Sequence, residues 1–500
     1  MPVLADLGKR ESEPSLNASS KESYRHSFLI LLLCCLPAIV IRLADPLRFP
    51  GVYVDEGMWS VGPKHALLLG NPLAYNIGHI FLSPFHYATT VALYWLFEPS
   101  LALSRLLSAA YGTGNILLTW LIARRFWGER TALLAALLVA YNSVMIPSSR
   151  MALLEQEVIF FILAATYFWF HPRPGRVWLA GLFLGFSLLV KALALAIVPA
   201  LIAGQVLSTV KPVKLSLRLS RGQWFALGLA AVLTLAGYLA ISRVDPEIFT
   251  RVWMAHSVKR TEMGRVGEAV EWRSYFHFVS IFIRQFPAMV GLSVVGLVLG
   301  LWRRRPGMVL MVAWPLAFFA MISLQEYRPE RYYFSFIPAL AILAALALTE
   351  IIPSRSTRLW KALLAAAVLL LCLDQMVKLA PAYREGVQRN PGIIAAGAYV
   401  TPLLEPGEPV FTTYEAAMFV AGPTICPPLG YTTAIWGDGA DLELMRSMRR
   451  YIVWWNLERR PTSERMDRGM SYFKGFTLTH NFGSTVVWER DAPAAETVLK

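Results

Sequence analysis

Long apolar stretches separated by short polar connections run along most of this chain. About eleven of them approach the length of roughly 18 to 25 residues that a helix needs to cross ~30 Å of hydrocarbon. The pattern predicts an all-α polytopic membrane module with about eleven spans, at Phe28–Ala44, Leu101–Ala123, Thr131–Pro147, Val158–Phe170, Val177–Val190, Leu193–Leu207, Trp224–Ile241, Phe276–Trp302, Gly307–Leu324, Tyr332–Ile352 and Leu359–Leu379.

Basic residues lie mostly in alternate connections between these stretches. Under the positive-inside rule, those connections and the tail of residues 1–27 face the cytoplasm. The predicted cytoplasmic connections carry Arg124, Arg125 and Arg130; Arg173 and Arg176; Lys211, Lys214, Arg218 and Arg221; Arg303, Arg304 and Arg305; and Arg355, Arg358 and Lys361. The formal charge of +14 therefore reflects topology and does not indicate nucleic-acid binding. A chain that is 56% hydrophobic and 16% charged is also not a soluble globular protein.

One further apolar segment, Ile80 to Phe97, is long enough to span, and its placement is decided by the number of membrane crossings before each basic connection. If it crossed the membrane, every later basic connection would change sides. We therefore predict a juxtamembrane helix in the outer interface, with a polar stripe of His86, Thr90 and Tyr94 at helical spacing. The first outer loop then runs from about Asp45 to Leu103.

The composition changes after the last predicted span. Residues 28–379 form the predicted transmembrane module, and residues 380–500 are richer in Pro, Gly and charge. The alternation of short strand-like and helical runs predicts a small extracytoplasmic α/β domain. The predicted strands are Val410–Tyr414, Tyr451–Trp455, Phe476–Thr479 and Thr485–Glu489, and the predicted helices are Asp441–Arg450 and Ser463–Phe473. The domain contains no recognisable catalytic motif.

Ionisable residues gather at the predicted outer face. Such groups are costly at membrane depth and are therefore candidates for function. The set comprises Asp55, Glu56, His79, His86, Glu155, Lys191, Glu326, Arg328, Glu330 and Arg331. The mixed-charge loop with His256, Lys259, Arg260 and Arg265 is more typical of a solvated surface.

Each candidate also has a structural interpretation. Lys191 would reach out to the membrane interface, and His86 would be a polar interface residue. The acids and arginines would form structural ion pairs, Glu155 with Arg150, and Arg328 and Arg331 with Glu326 and Glu330.

Carboxylates beside cations suit sugar transfer from a lipid phosphate. The leaving phosphate is a weak base that cations can stabilise, so no general acid is needed. One carboxylate that takes the proton of the acceptor is then sufficient, in contrast to glycoside hydrolases, which use two. Attack opposite the phosphate inverts the anomeric centre.

Several motifs occur in a recognisable order. They are Asp55-Glu56-Gly57, Ala109-Ala110-Tyr111-Gly112 leading to Ala123-Arg124-Arg125-Phe126-Trp127-Gly128, Ser149-Arg150 with Glu155, Gly181 to Lys191, and Glu330-Arg331-Tyr332-Tyr333 before Pro338. Across residues 28–352 the chain resembles the GT-C glycosyltransferases, in particular the protein O-mannosyltransferases and the aminoarabinose transferases that modify lipid A.

The resemblance implies a helical membrane module with an outward cavity under juxtamembrane helices, and a polyprenyl- or dolichyl-phosphate sugar donor. It also implies a role for individual positions. Asp55 matches the catalytic base and Glu56 its partner, Glu155 stands where the family often has Asp, Lys191 matches the lysine after the glycine-rich span, and Arg331 and Tyr332 match the arginine-tyrosine pair before a later helix.

We therefore predict an inverting glycosyltransferase of the bacterial inner membrane that acts at the periplasmic face. Its partners would be the bilayer, a polyprenyl-phosphate-linked sugar and a glycan, lipid or protein acceptor. Asp55 is the predicted catalytic residue; the predicted substrate-binding residues are Glu56, His79, Glu155, Lys191, Arg328, Arg331 and Tyr332. No cofactor is expected to be required, although Asp55 and Glu155 would supply oxygen ligands to a divalent metal. The alternative is a transporter or flippase of a lipid-linked anion, but no internal repeat supports it.

Overall fold

Helices make up most of the protein. The computed structural model describes residues 18–73, 79–171, 173–208, 219–254, 280–323, 330–352, 357–426, 451–455, 476–483 and 485–490. The helices are α1 (Ala18–Leu43), α2 (Val54–Leu69), α3 (His79–Leu82), α4 (Pro84–Leu96), α5 (Leu101–Trp127), α6 (Glu129–Ala140), α7 (Met145–Ser149), α8 (Leu154–Trp169), α9 (Trp178–Val190), α10 (Ile197–Ser208), α11 (Arg221–Ser242), α12 (Pro246–Met254), α13 (Pro287–Trp302), α14 (Met308–Ser323), α15 (Ile337–Ile351), α16 (Arg358–Val377) and α17 (Ala380–Val400).

The predicted spans coincide with helices in the described residues. Five helical segments there are long and apolar enough to cross a membrane by length and composition, namely Arg25–Leu43, Leu101–Trp127, Arg221–Ser242, Glu330–Ile351 and Arg358–Leu403. Shorter apolar helices such as α9, α13 and α14 accompany them. Large apolar side chains, including Trp224, Leu235 and Leu370, are exposed on their outer faces. Apolar surface of this extent is typical of a membrane protein.

Small residues allow the helices to pack closely. A Cβ atom at Gly296 of α13 would lie 1.9 Å from the carbonyl oxygen of Leu343 in α15. One at Gly181 of α9 would lie 2.2 Å from the carbonyl oxygen of Ala226 in α11. Neither position has room for a larger side chain, which is the packing expected between membrane helices.

The bundle has two chemically different ends. Arg105, near the start of α5, contacts Glu56, whereas Arg124, near the end of α5, pairs with Glu129. Since α5 has 27 residues, it separates these ends by about 40 Å. The end of α15 lies at the second end, because the Thr349 hydroxyl is 3.0 Å from that of Thr131 at the start of α6. The connection after α13 lies there too, because Arg305 pairs with Glu350. The basic connections after α5 and after α13 thus lie at one end of the bundle, as the charge pattern predicts.

Two of the predicted helices are divided in the structure. The third predicted span is interrupted after Ala140, because the Asn142 side chain accepts hydrogen bonds from the amides of Val144 and Met145 and starts the separate helix α7. The predicted juxtamembrane helix is divided into α3 and α4, with Pro84 as the first residue of α4.

The C-terminal part of the chain contains a small sheet. Its strands are β1 (Val410–Thr412), β2 (Thr424–Ile425), β3 (Tyr451–Trp455), β4 (Thr477–Asn481) and β5 (Thr485–Glu489), in the order β2-β1-β3-β5-β4. β1 is parallel to β2 and β3, whereas β5 is antiparallel to β3 and β4. The four predicted strands thus have counterparts, but β2 and α17 were not predicted. The predicted helices Asp441–Arg450 and Ser463–Phe473 lie outside the described residues.

This C-terminal part packs against α2, at the same end of the bundle as Glu56. Lys64 donates hydrogen bonds to the carbonyl oxygens of Ala417 and Val420, at 3.0 and 2.5 Å. The backbone amide of Thr424 donates to His65 at 3.1 Å. The tail is therefore positioned by the helix that carries Asp55 and Glu56.

Candidate functional site

The Asp-Glu pair lies in the first turn of α2, a helix that the sequence analysis treated as part of a loop. The Glu56 carboxylate accepts a hydrogen bond from the backbone amide of Tyr53 at 2.9 Å and so caps the helix. Acids are favourable in a first turn because the helix dipole is positive there. These acids and the left-handed Gly70, with φ of 64° at the other end, are signals that could have predicted the helix.

Glu56 is completely buried and paired with Arg105. Its two oxygens accept hydrogen bonds from Arg105 Nε at 2.7 Å and Nη2 at 2.6 Å, and from the amide of Ala152 at 2.8 Å. The exposure of both side chains is 0%. Arg105 also donates to the carbonyls of Pro46 and Pro50. Glu56 therefore anchors the start of α2 to α5 and to the segment before α8.

A row of four charged side chains lies beside this anchor. Arg331 Nη2 is 2.5 Å from Asp55 Oδ2, and Arg331 Nε is 3.4 Å from Glu155 Oε1. Lys191 Nζ donates to the same Glu155 oxygen at 2.8 Å. The order is carboxylate, guanidinium, carboxylate, ammonium, and all four side chains are largely buried. We call Asp55, Arg331, Glu155 and Lys191 the charge row.

Helix ends bring the charge row together. Asp55 is in the first turn of α2, Glu155 in the first turn of α8, and Lys191 directly follows α9. Arg331 is in the 3₁₀ turn Glu330–Phe336 before α15. The sequence placed these residues at one face because each stands at the end of an apolar stretch.

Two tyrosines flank the charge row. Lys191 Nζ lies 3.9 Å from the centroid of the Tyr332 ring, and the Arg331 guanidinium carbon lies 5.9 Å from the centroid of the Tyr53 ring. The Tyr53 hydroxyl also accepts a hydrogen bond from Arg331 at 3.4 Å. Ring faces at these distances favour a cation. Tyr53 was not predicted, although it stands two residues before Asp55.

The contacts of Arg150 and Lys191 differ from those that the structural interpretation predicted. Arg150 donates to the backbone carbonyls of Ala44, Asp45 and Phe49 at 2.6 to 2.8 Å, while Glu155 pairs with Lys191 and Arg331. The Lys191 ammonium group points inward to Glu155 and does not reach out to the interface. The predicted site residue Arg328, its proposed partner Glu326, and the loop of His256, Lys259, Arg260 and Arg265 lie outside the described residues.

The two histidines lie inside the protein, next to Trp59. His79 is buried with its ring centroid 4.6 Å from the Trp59 ring. The stripe of α4 faces inward, so that His86 Nδ1 lies 2.7 Å from Glu157 Oε2 while Trp95 is exposed. Glu157 was missed, although it follows Glu155 by two residues at the head of an apolar stretch.

In the structure, a guanidinium group occupies the space between the two carboxylates that were considered as metal ligands. The Arg331 guanidinium already lies between Asp55 and Glu155, where a bridging metal would have to bind. In the described part of the chain, no three or more His, Cys, Asp or Glu side chains are grouped as ligands.

Comparisons with known proteins find relatives by sequence and by fold. Residues 63–248 match the family model of the dolichyl-phosphate-mannose-protein mannosyltransferases. Two solved structures of ArnT from Cupriavidus metallidurans, apo and bound to undecaprenyl phosphate, superpose with TM-scores of 0.64 at 16% identity. The matches cover 93% and 96% of this chain and 98% and 100% of those chains. The resemblance to the GT-C glycosyltransferases is confirmed.

Two further matches are more distant or less informative. The archaeal oligosaccharyltransferase AglB from Archaeoglobus fulgidus, in complex with an inhibitory peptide and a dolichol-phosphate, has a TM-score of 0.51 at 13% identity, over 87% of this chain and 70% of that chain. An uncharacterised protein of Aquifex aeolicus is 26% identical over 327 residues, which are 63% of each chain. The matched region thus spans less than two thirds of that relative. The GT-C fold accounts for the bundle, and the ArnT matches extend over the C-terminal part as well.

Proposed function

We propose that this protein is an inverting glycosyltransferase that moves a sugar from a polyprenyl-phosphate donor to an acceptor at the periplasmic face of a bacterial inner membrane. The charge row, at one end of a GT-C bundle, is the observation that carries the proposal. It combines an acid that accepts a proton with cations that bind a lipid phosphate.

Lys191 and Arg331 are the proposed phosphate ligands. Both hold the same Glu155 oxygen, so Glu155 keeps the ammonium and guanidinium groups side by side. A guanidinium group can present two parallel N–H donors to phosphate oxygens, and an ammonium group adds a compact charge. A related GT-C structure is bound to undecaprenyl phosphate, which supports a lipid phosphate as the ligand here.

Asp55 is the proposed base. It accepts the proton of the acceptor nucleophile as the nucleophile bonds to the anomeric carbon. The bond from that carbon to the phosphate oxygen breaks, and the electron pair leaves with the phosphate, which the cations stabilise. Because attack comes from the side opposite the phosphate, the anomeric configuration inverts.

The ion pair between Asp55 and Arg331 links binding of the donor phosphate to proton transfer from the acceptor. A carboxylate 2.5 Å from a guanidinium nitrogen is a weak base, since the cation favours its charged form. A donor phosphate that competes for Arg331 weakens this pair and raises the basicity of Asp55. The base thus becomes effective when the leaving group is in place.

The remaining predicted residues take supporting roles in this proposal. Glu56 positions α2 from behind the charge row, Tyr332 packs on Lys191, and His79 lines the interior beside Trp59. Transfer proceeds without a required cofactor. The acceptor is a glycan, a lipid or a protein.

The test is release of polyprenyl phosphate from a lipid-linked sugar by purified protein in liposomes with a candidate acceptor. Asp55→Asn keeps the shape but removes the charge, and loss of a positioned base lowers the rate by ~10²–10⁴-fold. Asp374→Asn is the matched control, because Asp374 forms an exposed pair with Lys378 away from the site.

The outcomes distinguish a glycosyltransferase from the alternative, a transporter or flippase. A transporter or flippase of a lipid-linked anion would move the donor between leaflets and leave the sugar-phosphate bond intact. Near-full turnover by Asp55→Asn with a native acceptor would refute the base assignment and make Glu155 the next carboxylate to test.

A further inference from the structure

A polar cavity lies at the end of the bundle opposite the charge row. It has a volume of about 560 Å³ and is formed where α5 meets α6, with the connection after α13 and the end of α15 as its other walls. Cavities of this size hold small organic groups in other proteins. Nothing in the proposed transfer reaction uses it.

Arginines dominate the lining of this cavity. Among the described residues, one acid, Glu350, lines it together with Arg130, Arg303 and Arg305, so these charged side chains sum to +2. Arg303 and Arg305 share the Glu350 carboxylate, Arg305 at 2.7 Å. Arg130 contacts the carbonyl oxygen of Ile352 at a long 3.4 Å. The cavity is therefore positively charged and only partly compensated by the described residues.

The surroundings of the cavity are apolar and exposed. Trp302, directly before Arg303, is 75% exposed, and Ile351, directly after Glu350, is 55% exposed. Exposed tryptophans and flanking arginines are typical of the interface region of a membrane protein. A ligand in this cavity would thus have its charged part among the arginines and lipid-facing surface beside it.

We propose that this cavity binds the headgroup of an anionic phospholipid, with a two-phosphate headgroup as the best match to its charge. Basic pockets at the cytoplasmic ends of membrane helices bind such headgroups, and the positive-inside pattern predicts that this end is cytoplasmic. Arg303 and Arg305 exchange Glu350 for phosphate oxygens, and Arg130 provides a third cation. The proposal does not depend on the glycosyltransferase reaction.

The test measures lipid retained by the purified protein, by native mass spectrometry after detergent exchange, with cardiolipin, phosphatidylglycerol or phosphatidylcholine added back. Wild type should retain cardiolipin best and phosphatidylcholine least. Each basic residue near an anionic lipid contributes about five-fold to binding, so Arg303→Gln/Arg305→Gln should weaken cardiolipin retention roughly 25-fold. Arg176→Gln, an exposed arginine in another predicted cytoplasmic connection, is the control and should change little.

A second variant separates lipid binding from a purely structural ion pair. Glu350→Gln removes the competing carboxylate, so it should retain cardiolipin at least as well as wild type. If the arginines served only the pair with Glu350, the Glu350→Gln and double-arginine variants would behave alike, and the proposal would be wrong. Equal cardiolipin retention by wild type and the double-arginine variant would also overturn it. So would full displacement of cardiolipin by millimolar glycerol phosphate, because the site would then serve a soluble anion.

Discussion

The buried pair of Glu56 and Arg105 allows a sharp test of how the site is held. In Glu56→Gln, one acceptor oxygen becomes an NH₂ group with two donors and no charge. The Glu56 oxygens receive four N–H groups, two from Arg105 and one each from Tyr53 and Ala152. The new amide nitrogen would therefore face a donor in either orientation. The Arg105 charge would remain in the interior without its carboxylate.

The expected loss of stability is large. Removing one partner of a buried ion pair costs about 3–5 kcal/mol, because the other charge stays buried and uncompensated. An exposed pair contributes only about 0–1 kcal/mol. Glu56→Gln should therefore lower the unfolding temperature clearly, whereas Glu247→Gln, which disrupts the exposed pair with Arg251, should not.

The assay is thermal unfolding in detergent, followed by tryptophan fluorescence, together with transfer activity measured well below the unfolding temperature. The double variant Glu56→Gln/Arg105→Met should recover part of the lost stability, since it also removes the buried charge. An unchanged unfolding temperature together with lost donor or acceptor binding would refute this reasoning. Glu56 would then contact substrate, as the sequence analysis predicted.

Three further predictions concern donor binding, topology and pH. Lys191→Met should raise the donor concentration needed for half-maximal transfer by the variant that remains folded, and it should also lower the unfolding temperature because it breaks a largely buried pair with Glu155; unchanged donor kinetics would mean that Lys191 is structural. In a cysteine-free background, Glu98→Cys should be labelled from outside and Arg176→Cys from inside, and the reverse pattern would contradict the assigned topology. Burial lowers the pKa of Lys64 from 10.5 to about 7, so the unfolded chain binds more protons above pH 7. Thermal stability should rise between pH 7 and 8, by on the order of 1 kcal/mol, and Lys64→Met should abolish this rise. Above pH 8 the Cys426 thiol acts in the opposite direction, because burial raises its pKa and it ionises more readily in the unfolded chain.

Much of the helical module could be predicted from hydropathy because membrane spans must be long, apolar and internally hydrogen-bonded. Breaks within a predicted span were harder to predict from the sequence. The interruption after Ala140 depends on one Asn142 side chain that satisfies two amides, and apolar composition continues through it. In α17, Pro381 and Pro391 obscured a helix of 21 residues that begins the C-terminal part of the chain.

The residues of the charge row could be predicted from the sequence more readily than the contacts between them. Asp55, Glu155, Lys191 and Arg331 stand out because they interrupt apolar stretches at one predicted face. Which of them touch depends on the rotation of each helix and on side-chain direction. That information is absent from spacing, so the structural alternative for Glu155 named Arg150 and not Lys191 and Arg331. Arg105 was not recognised as the partner of Glu56.

Those pairings change the physical picture of donor binding. The sequence indicated that cations stabilise the leaving phosphate but not which carboxylates hold them, whereas the charge row pairs Lys191 and Arg331 with Glu155 and Asp55 and sums to zero. Burial of unpaired charges would be costly, so the compensated arrangement is the stable one before a ligand arrives. In the proposed reaction, a phosphate competes with the Asp55 carboxylate for Arg331, while Lys191 keeps its contact with Glu155. Under that proposal, the alternation of charges couples capture of the leaving group to activation of the base, which two free cations beside a free acid would not do.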